Sequence, residues 1–278
     1  MFTVGKPSPG VIVFTYAAGV LALLLFMFPI FWMVLTSFKT TVQAFSSVPV
    51  LFFTPTLENY REVLVDRGFI GYIRNSLFIG LLSTLLTLAL AVTVAYPLAR
   101  YSLRGERQIV SWILSLRIIP PIVSVIPLYI IFSNIGLVDQ YPALVIMYTF
   151  MNLPLAVWML RGFFAEIPRE LEEAALVDGS TPLGSFFRIV LPLVAPGLVA
   201  TGMLALIFCW NEFLFANVLT AARTRTAPVG LTEYATPVSV LWTQIMAAGT
   251  VVVVPVLTVG VVIQRFLVRG LALGAVKG

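Results

Sequence analysis

The densest group of charged side chains lies in residues 163–192, between two long apolar runs. Its centre combines carboxylates with small residues: Glu172, Glu173, Ala174, Ala175, Asp178 and Gly179. Carboxylates early in a helix suit the positive end of its dipole, and glycine often follows directly after a helix end. We therefore predict a short acidic helix that ends at Gly179. Its carboxylates could pair with basic groups of another protein, and its alanines would allow close approach.

A second set of polar and aromatic residues lies within or at the ends of the apolar runs. The candidates for a substrate path or gate are Arg117, Asn152, Trp158, Asn211, Glu212 and Phe213. A charged group at the centre of a bilayer costs about 2.5–3.5 kcal/mol or more, so Arg117 needs a reason to be there. It could face a watery path, or it could bond to carbonyls that Pro120 and Pro121 leave without donors.

The other candidates also have two interpretations each. Asn152 could hydrogen-bond a polar substrate while Trp158 or Tyr148 stacks on it, or it could join two helices by a hydrogen bond. Asn211 and Glu212 end an apolar run together with Phe213. They could contact a substrate or an external gate, or they could cap a helix at the membrane surface.

Residues for acid-base or nucleophilic catalysis are scarce. The sequence has no histidine, and its single cysteine, Cys209, lies in an apolar run. It also lacks a GxxxxGK[ST] phosphate loop and a GxSxG nucleophile elbow. We therefore expect no catalytic residue, no metal site and no bound cofactor in this chain.

Long apolar helices must position these side chains. Hydrophobic residues make up 60% of the 278 residues and charged residues 10%, whereas soluble domains have about 45–50% and about 25%. Because a span needs about 20 mostly apolar residues, we predict an all-α, polytopic membrane protein with six transmembrane helices. The predicted spans are residues 11–37, 73–99, 109–133, 142–160, 193–215 and 241–266. Residues 1–10 would form the N-terminus and residues 11–278 a single transmembrane domain.

The first span is expected to be retained, since its uncharged run is longer than the roughly 7–15 residue core of a signal peptide. The positive-inside rule predicts the orientation. Most lysines and arginines fall on one side: Lys6, Arg100, Arg104, Arg107, Arg161, Arg169, Arg188, Arg265, Arg269 and Lys277. Both termini and the acidic segment would therefore be cytoplasmic. On the other side of the membrane, the link between spans three and four has no basic residue, and the link between spans five and six has Arg223 and Arg225.

The acidic segment resembles a known motif. Glu173-Ala174-Ala175, Asp178-Gly179, Ile189 and Leu191-Pro192 look like the EAA loop of permease subunits of ATP-binding-cassette (ABC) importers. Segments 120–129, 210–215, 227–231 and 264–278 are similar to the carbohydrate-uptake branch, the maltose, trehalose and glycerol phosphate types. The likeness runs from about residue 73 to the end, and the part before it matches only in general character.

The resemblance implies the type I ABC importer permease fold and a location in a prokaryotic cell membrane. It also implies partners: a second homologous permease, an extracytoplasmic solute-binding protein, and two ATPase subunits that bind ATP and magnesium. The acidic helix would be a coupling helix that docks on an ATPase subunit. This chain would form half of the path for a di- or oligosaccharide.

Two alternatives stay open. The same architecture could import a polyamine, an amino acid or an inorganic anion, since no single residue specifies a sugar. An ion-coupled secondary carrier is the other, although it would be expected to place carboxylates in mid-span, and the predicted spans lack them.

Overall fold

The computed structural model describes residues 8–235 and 240–274, with side chains up to residue 262. Residues 1–7 of the predicted N-terminus and the last tail residues, 275–278, lie outside the described residues. Within the described part the secondary structure is helical, apart from one isolated bridge between Ala235 and Val240. The α-helices are α1 (Pro9–Ser37), α2 (Thr41–Ala44), α3 (Glu58–Arg61), α4 (Phe69–Arg100), α5 (Glu106–Ser115), α6 (Pro121–Asn134), α7 (Tyr141–Glu166), α8 (Glu170–Val177), α9 (Pro182–Ser185), α10 (Leu191–Asn211), α11 (Leu214–Leu219), α12 (Ala227–Gly230) and α13 (Trp242–Gly274). The all-α prediction is confirmed.

Within residues 8–235 and 240–274, five stretches are long and apolar enough to cross a membrane. They are Pro9–Ser37, Phe69–Arg100, Tyr141–Glu166, Pro182–Asn211 and Trp242–Val262, with Pro121–Asn134 as a shorter apolar helix. Four of the predicted spans, the first, second, fourth and sixth, correspond to α1, α4, α7 and α13. Most of their boundaries agree to within a few residues. The exceptions are the C-terminal ends of α7 and α13, which extend beyond the predicted spans. The chain is therefore a multi-pass membrane protein.

The third predicted span, residues 109–133, is not one helix. α5 ends at Ser115 and α6 begins at Pro121. Neither Pro120 nor Pro121 can donate a backbone hydrogen bond, so the helical ladder stops before them. The span consists instead of two shorter helices with Arg117 between them, consistent with the predicted interruption.

The fifth predicted span begins earlier than residue 193 and ends before residue 215. α9, a π-helical turn at Phe186–Val190 and α10 run on as one helix of 30 residues, Pro182–Asn211. Pro192 has no N–H to donate to the carbonyl of Arg188, so the usual α-helical hydrogen bond is missing at this point. This missing bond is consistent with the local change from α-helical to π-helical hydrogen bonding. Glu212 is extended and breaks the helix before the short α11.

The chain divides into two compact units, and the first contains residues up to 69 together with 233–253. The Asn59 side chain there donates to the carbonyls of Ser37 and Lys39, both at 2.8 Å. The hydroxyls of Ser37 and Tyr60 lie 2.6 Å apart. The Lys39 ammonium is buried 4.6 Å from the ring centroid of Trp32. These contacts fix α3 against the C-terminal end of α1.

The second unit contains residues 70–232 and the chain from 254 onward. Its central element is α7, where most of the apolar window is buried by neighbouring helices. α7 and α10 approach so closely that a Cβ atom on Gly197 would lie 2.4–2.9 Å from side-chain atoms of Phe163. Real Cβ atoms essentially never come that close, so this helix crossing requires glycine.

Candidate functional site

The loop between α7 and α9 holds α8 and the predicted acidic motif. α7 continues to Glu166 and α9 begins at Pro182, so residues 167–181 form this loop, which is shorter than the predicted 163–192. We call residues 167–181 the α8 loop. Glu173 and two other glutamates lie in the first turn of α8, as the helix dipole favours.

Gly179 ends α8 in a Schellman motif. Its N–H donates to the Leu176 carbonyl at 3.1 Å, and the Ser180 N–H donates to the Ala175 carbonyl at 2.9 Å. The φ angle of Gly179 is +87°, which side-chain-bearing residues rarely adopt. The Thr181 hydroxyl then accepts from the Gly184 N–H at 3.1 Å and caps α9. The end of α8 and the start of α9 are therefore both fixed by hydrogen bonds.

Glu172 attaches α8 to the end of α4. Its carboxylate lies 2.5 Å from the guanidinium Nε of Arg100, and it accepts a 2.8 Å hydrogen bond from the Tyr96 hydroxyl. The Arg100 side chain also donates to the Ile167 carbonyl at 3.0 Å. Side-chain exposure is 6% for Arg100 and 15% for Glu172. We call these four residues the α4–α8 clamp.

The clamp corrects two expectations. Glu172 was expected to face a partner, but both of its oxygens have partners within this chain. Arg100 was expected to follow the second predicted span, which ends at residue 99, but it is the last residue of α4 and is buried. Both corrections have one cause: the end of α4 and the start of α8 are neighbours, so each buried charge neutralises the other.

The outward face of the α8 loop is partly apolar. Glu173, Ala174, Asp178 and Gly179 are exposed, whereas Ala175 is buried against the chain itself. Two large exposed apolar side chains were not predicted as site residues: Val177 in the loop is 87% exposed, and Leu183 in the neighbouring α9 is 71% exposed. The sequence could have indicated them, because they are apolar residues in a segment that is too charged to form a membrane span. An apolar patch with a polar rim is typical of a protein-binding surface.

A cavity of about 360 Å³ opens beside the break between α5 and α6. Its lining residues come from that break, from α6, α7 and α10, and from the turn before α11: Leu116, Arg117, Ile119, Pro121, Ser124, Met147, Tyr148, Phe150, Met151, Asn152, Pro154, Phe208, Cys209, Glu212 and Phe215. Three of the six predicted path residues, Arg117, Asn152 and Glu212, therefore meet there. The sequence analysis missed the aromatic rings Phe150, Phe208 and Phe215.

The remaining three path candidates do not line this cavity. Trp158 is 51% exposed on α7, and Phe213 is exposed in the turn before α11. The Asn211 amide donates to the Ile207 carbonyl of its own helix at 2.9 Å. Their predicted contact with a substrate stays a prediction.

Hydrogen bonds shape the polar part of the cavity. The Asn152 amide nitrogen donates to the Tyr148 carbonyl at 2.8 Å and to Cys209 Sγ at 3.3 Å, so it does join α7 to α10. Glu212 accepts from the N–H groups of Phe215 at 2.8 Å and Ala216 at 3.0 Å. Glu212 thus caps α11 while it lines the cavity.

A third cluster orders the link after α11. The Asp139 carboxylate accepts from the backbone N–H groups of Ala221 (2.9 Å), Arg223 (3.2 Å) and Thr224 (3.0 Å), and from the Thr224 hydroxyl (2.9 Å). The Asn75 amide donates to the carbonyls of Arg223 and Arg225. Burial alone would raise the pKa of Asp139, but these hydrogen bonds outweigh it and hold the pKa below its ordinary value.

Asp139→Asn is expected to loosen this link at neutral pH, because the amide cannot replace four bonds to a charged carboxylate. Asn tolerates the φ of +59° found at this position, so the change isolates the charge. A depressed folded-state pKa stabilises the protein above the ordinary carboxyl value, near 3.8, and this contribution is lost as pH falls through the folded-state value. Melting curves of the purified protein should therefore show a Tm difference between wild type and variant at pH 7 that shrinks below pH 4.

The matched control is Asp66→Asn, which alters an exposed carboxyl group in the other unit. Its Tm should follow wild type across the same pH range. A Tm difference for Asp139→Asn that does not change between pH 7 and pH 3 would contradict the electrostatic explanation.

Comparisons with known proteins add to this geometry. Residues 88–273 match the family described as binding-protein-dependent transport system inner membrane component. The sulfoquinovosyl glycerol transport system permease protein SmoH of Agrobacterium fabrum is 38% identical over 255 residues, covering 91% of this chain and 89% of that protein. The trehalose/maltose transport system permease protein MalG of Thermococcus litoralis is 35% identical over 264 residues, with 94% and 95% coverage.

A solved structure shares the fold. It is the crystal structure of a bacterial ABC transporter involved in the import of the acidic polysaccharide alginate. One of its chains superposes with a TM-score of 0.78 at 23% identity, over 94% of this chain and 99% of that one. The predicted type of fold is therefore confirmed.

Proposed function

This chain belongs to the binding-protein-dependent transport system inner membrane components, and from that premise we propose that it is the permease subunit of an ABC importer whose cargo is a sugar. The observation that carries the proposal is the α8 loop: a helix that is capped at its C-terminal end, clamped to α4, and bears the large exposed apolar side chain of Val177. The names of relatives that align over about nine-tenths of the chain, which refer to sulfoquinovosyl glycerol and to trehalose and maltose, support the sugar cargo.

The mechanism follows from where the α8 loop is attached. An ATPase subunit that binds Val177 and Leu183 would move α8 as a rigid body. The clamp passes that movement to α4 through Arg100, and the continuous helix Pro182–Asn211 passes it to the cavity through Cys209. ATP hydrolysis on the partner would thus change access to the cavity.

The cavity suits a carbohydrate. Its aromatic rings offer flat apolar faces for the C–H side of a sugar ring, and its amide and hydroxyl groups offer hydrogen-bond partners for sugar hydroxyls. A second, homologous permease would close the open side of this path. An extracytoplasmic binding protein would deliver the sugar at the face that carries the Asp139 cluster.

The orientation completes the proposal. The basic residues at the ends of the spans support a cytoplasmic location for both termini and the α8 loop. That is the side on which an ATPase subunit finds ATP.

The test is ATP hydrolysis by the complex that purifies with a tagged copy of this chain from its own host. Val177→Asp and Leu183→Asp place charges on the apolar surface, so we expect vanadate-sensitive hydrolysis in the purified sample to fall at least tenfold. The chain lacks a phosphate-binding loop, so the measured hydrolysis reports on the partner.

Val42→Asp is the matched control, because Val42 is 83% exposed on α2, outside the long spans. The complex that purifies with Val42→Asp should hydrolyse ATP at the wild-type rate. If Val177→Asp and Leu183→Asp both kept full hydrolysis while the amount of this chain in the membrane was unchanged, the docking surface would be wrongly assigned.

A further inference from the structure

Arg117 lies in the turn between α5, which ends at Ser115, and α6, which begins at Pro121. The turn at residues 116–120 holds it there, because Pro120 and Pro121 prevent the helix from continuing.

The charge of Arg117 has no carboxylate partner in the described part of the chain. Its guanidinium carbon lies 5.2 Å from the ring centroid of Phe208, a cation–π contact. The expected alternative, a tie to carbonyls released by the prolines, is not among the hydrogen bonds of the described residues. Arg117 itself lines the cavity.

The other charged residue that lines the cavity, Glu212, forms no ion pair with Arg117 in the described part of the chain. Both oxygens of Glu212 accept backbone N–H groups at the start of α11, so its negative charge is already stabilised by those donors. The guanidinium, by contrast, keeps its planar set of N–H donors available. The cavity therefore presents a positive group that an incoming ligand can neutralise.

The rest of the lining recognises neutral sugar surface. Phe150 and Phe208 present aromatic rings, and the Asn152 amide oxygen has no bond from the described residues, since only its nitrogen is used. The volume, about 360 Å³, falls within the range of small-molecule sites, roughly 300–1,000 Å³. A sugar with one anionic substituent matches both halves of this lining.

We propose that the cavity binds a sugar that carries an anionic group, a carboxylate, sulfonate or phosphate ester, and that Arg117 is the residue that binds this group. The inference rests on the proposed function, in which the cargo is a sugar. A guanidinium forms paired hydrogen bonds with each of these anions. Arg117 therefore selects for the anionic group, and the aromatic side chains of the cavity hold the sugar ring.

The experiment measures sugar binding to the complete transporter, purified in detergent at constant ionic strength. The probes are glucose, glucuronate, 6-sulfo-6-deoxyglucose and glucose 6-phosphate, with cellobiose and cellobiouronate as a disaccharide pair. We expect wild type to bind at least one anionic probe with a Kd about tenfold lower than that of its neutral counterpart. The anion that binds best identifies the chemical class of the group.

Variants connect this preference to Arg117. Arg117→Gln should raise the Kd of the preferred anion to that of the neutral sugar and leave the neutral Kd unchanged. Arg117→Lys should keep part of the preference, because it keeps the charge but not the planar donors. Arg107→Gln removes one charge from an exposed position on α5, the helix before the turn that holds Arg117, and it should bind like wild type.

Equal Kd values for neutral and anionic sugars in wild type would overturn the inference and leave the sugar importer in place. A preference that persists in Arg117→Gln would overturn the assignment to Arg117. Absence of binding by every probe overturns the inference as well, and the ATPase purification above then shows separately whether the importer assignment stands.

Discussion

Arg100→Gln is expected to release α8 from α4 and to reduce coupled ATP hydrolysis at least tenfold, although the chain still inserts into the membrane. The variant leaves the Glu172 carboxylate in a site where it is 15% exposed and has lost its cation. Removing one partner of a buried ion pair costs roughly 3–5 kcal/mol. The Tyr96 hydrogen bond alone does not offset this loss. The spans fold from their own apolar sequence, so insertion should not depend on the pair.

Hydrogen exchange and ATP hydrolysis of the purified complex measure this effect. The backbone amides of residues 170–177 should exchange faster in Arg100→Gln than in wild type, while those of α10 stay protected. Glu172→Gln should behave like Arg100→Gln. The double variant should lose less ATP hydrolysis than the two single variants together, because neither charge is then left buried without its partner. Unchanged exchange of α8 in both single variants would show that the clamp does not hold the helix.

The matched control is Glu170→Gln. Glu170 is in the same first turn of α8, but it is exposed. Loss of this surface carboxylate should change neither exchange nor hydrolysis beyond the small effects usual for exposed sites.

Gly179→Val is expected to disrupt the α8 loop through its backbone conformation. A side chain at φ +87° costs roughly 1–2 kcal/mol, and a β-branched residue is less tolerant still. The chain would escape the strain by giving up the two bonds that close the Schellman motif. A loss of this size changes an equilibrium roughly 5- to 30-fold, so we expect uptake and coupled hydrolysis to fall by that factor.

Space is not the cause of this effect, because no atom lies within 4 Å of a Cβ built on Gly179. Gly162→Val tests that distinction. Gly162 also has open space around its Cβ position, but it lies in α7 and its φ is not positive. It should lose far less hydrolysis than Gly179→Val. Equal losses in the two variants would mean that the backbone conformation at Gly179 is not what matters.

The helical spans could be predicted from sequence because their cause is local. The bilayer requires about 20 apolar residues in a row, and any window of the chain reveals whether it has them. The same is true of Gly179 as a helix end, since the glycine, the short acidic helix before it and the proline after it are close together. These features are the ones that the structure confirmed.

The break at Arg117 shows where this local reasoning ends. The prolines predicted an interruption, and the structure has one. The amide group of Asn152, the ring of Phe208 and the carboxylate of Glu212 come from separate elements of the chain. Their meeting with Arg117 depends on how α7 packs against α10, and no spacing in the sequence encodes that packing.

The sequence by itself determined that this chain is an all-α membrane protein with an acidic, capped loop between two spans, because hydropathy and helix ends are properties of neighbouring residues. Only the tertiary structure decided what the charges do. Tyr96 and Glu172 are 76 positions apart, and Asp139 and Thr224 are 85 apart. Whether a carboxylate is exposed to a partner or paired inside the chain depends on which helix ends become neighbours in the fold.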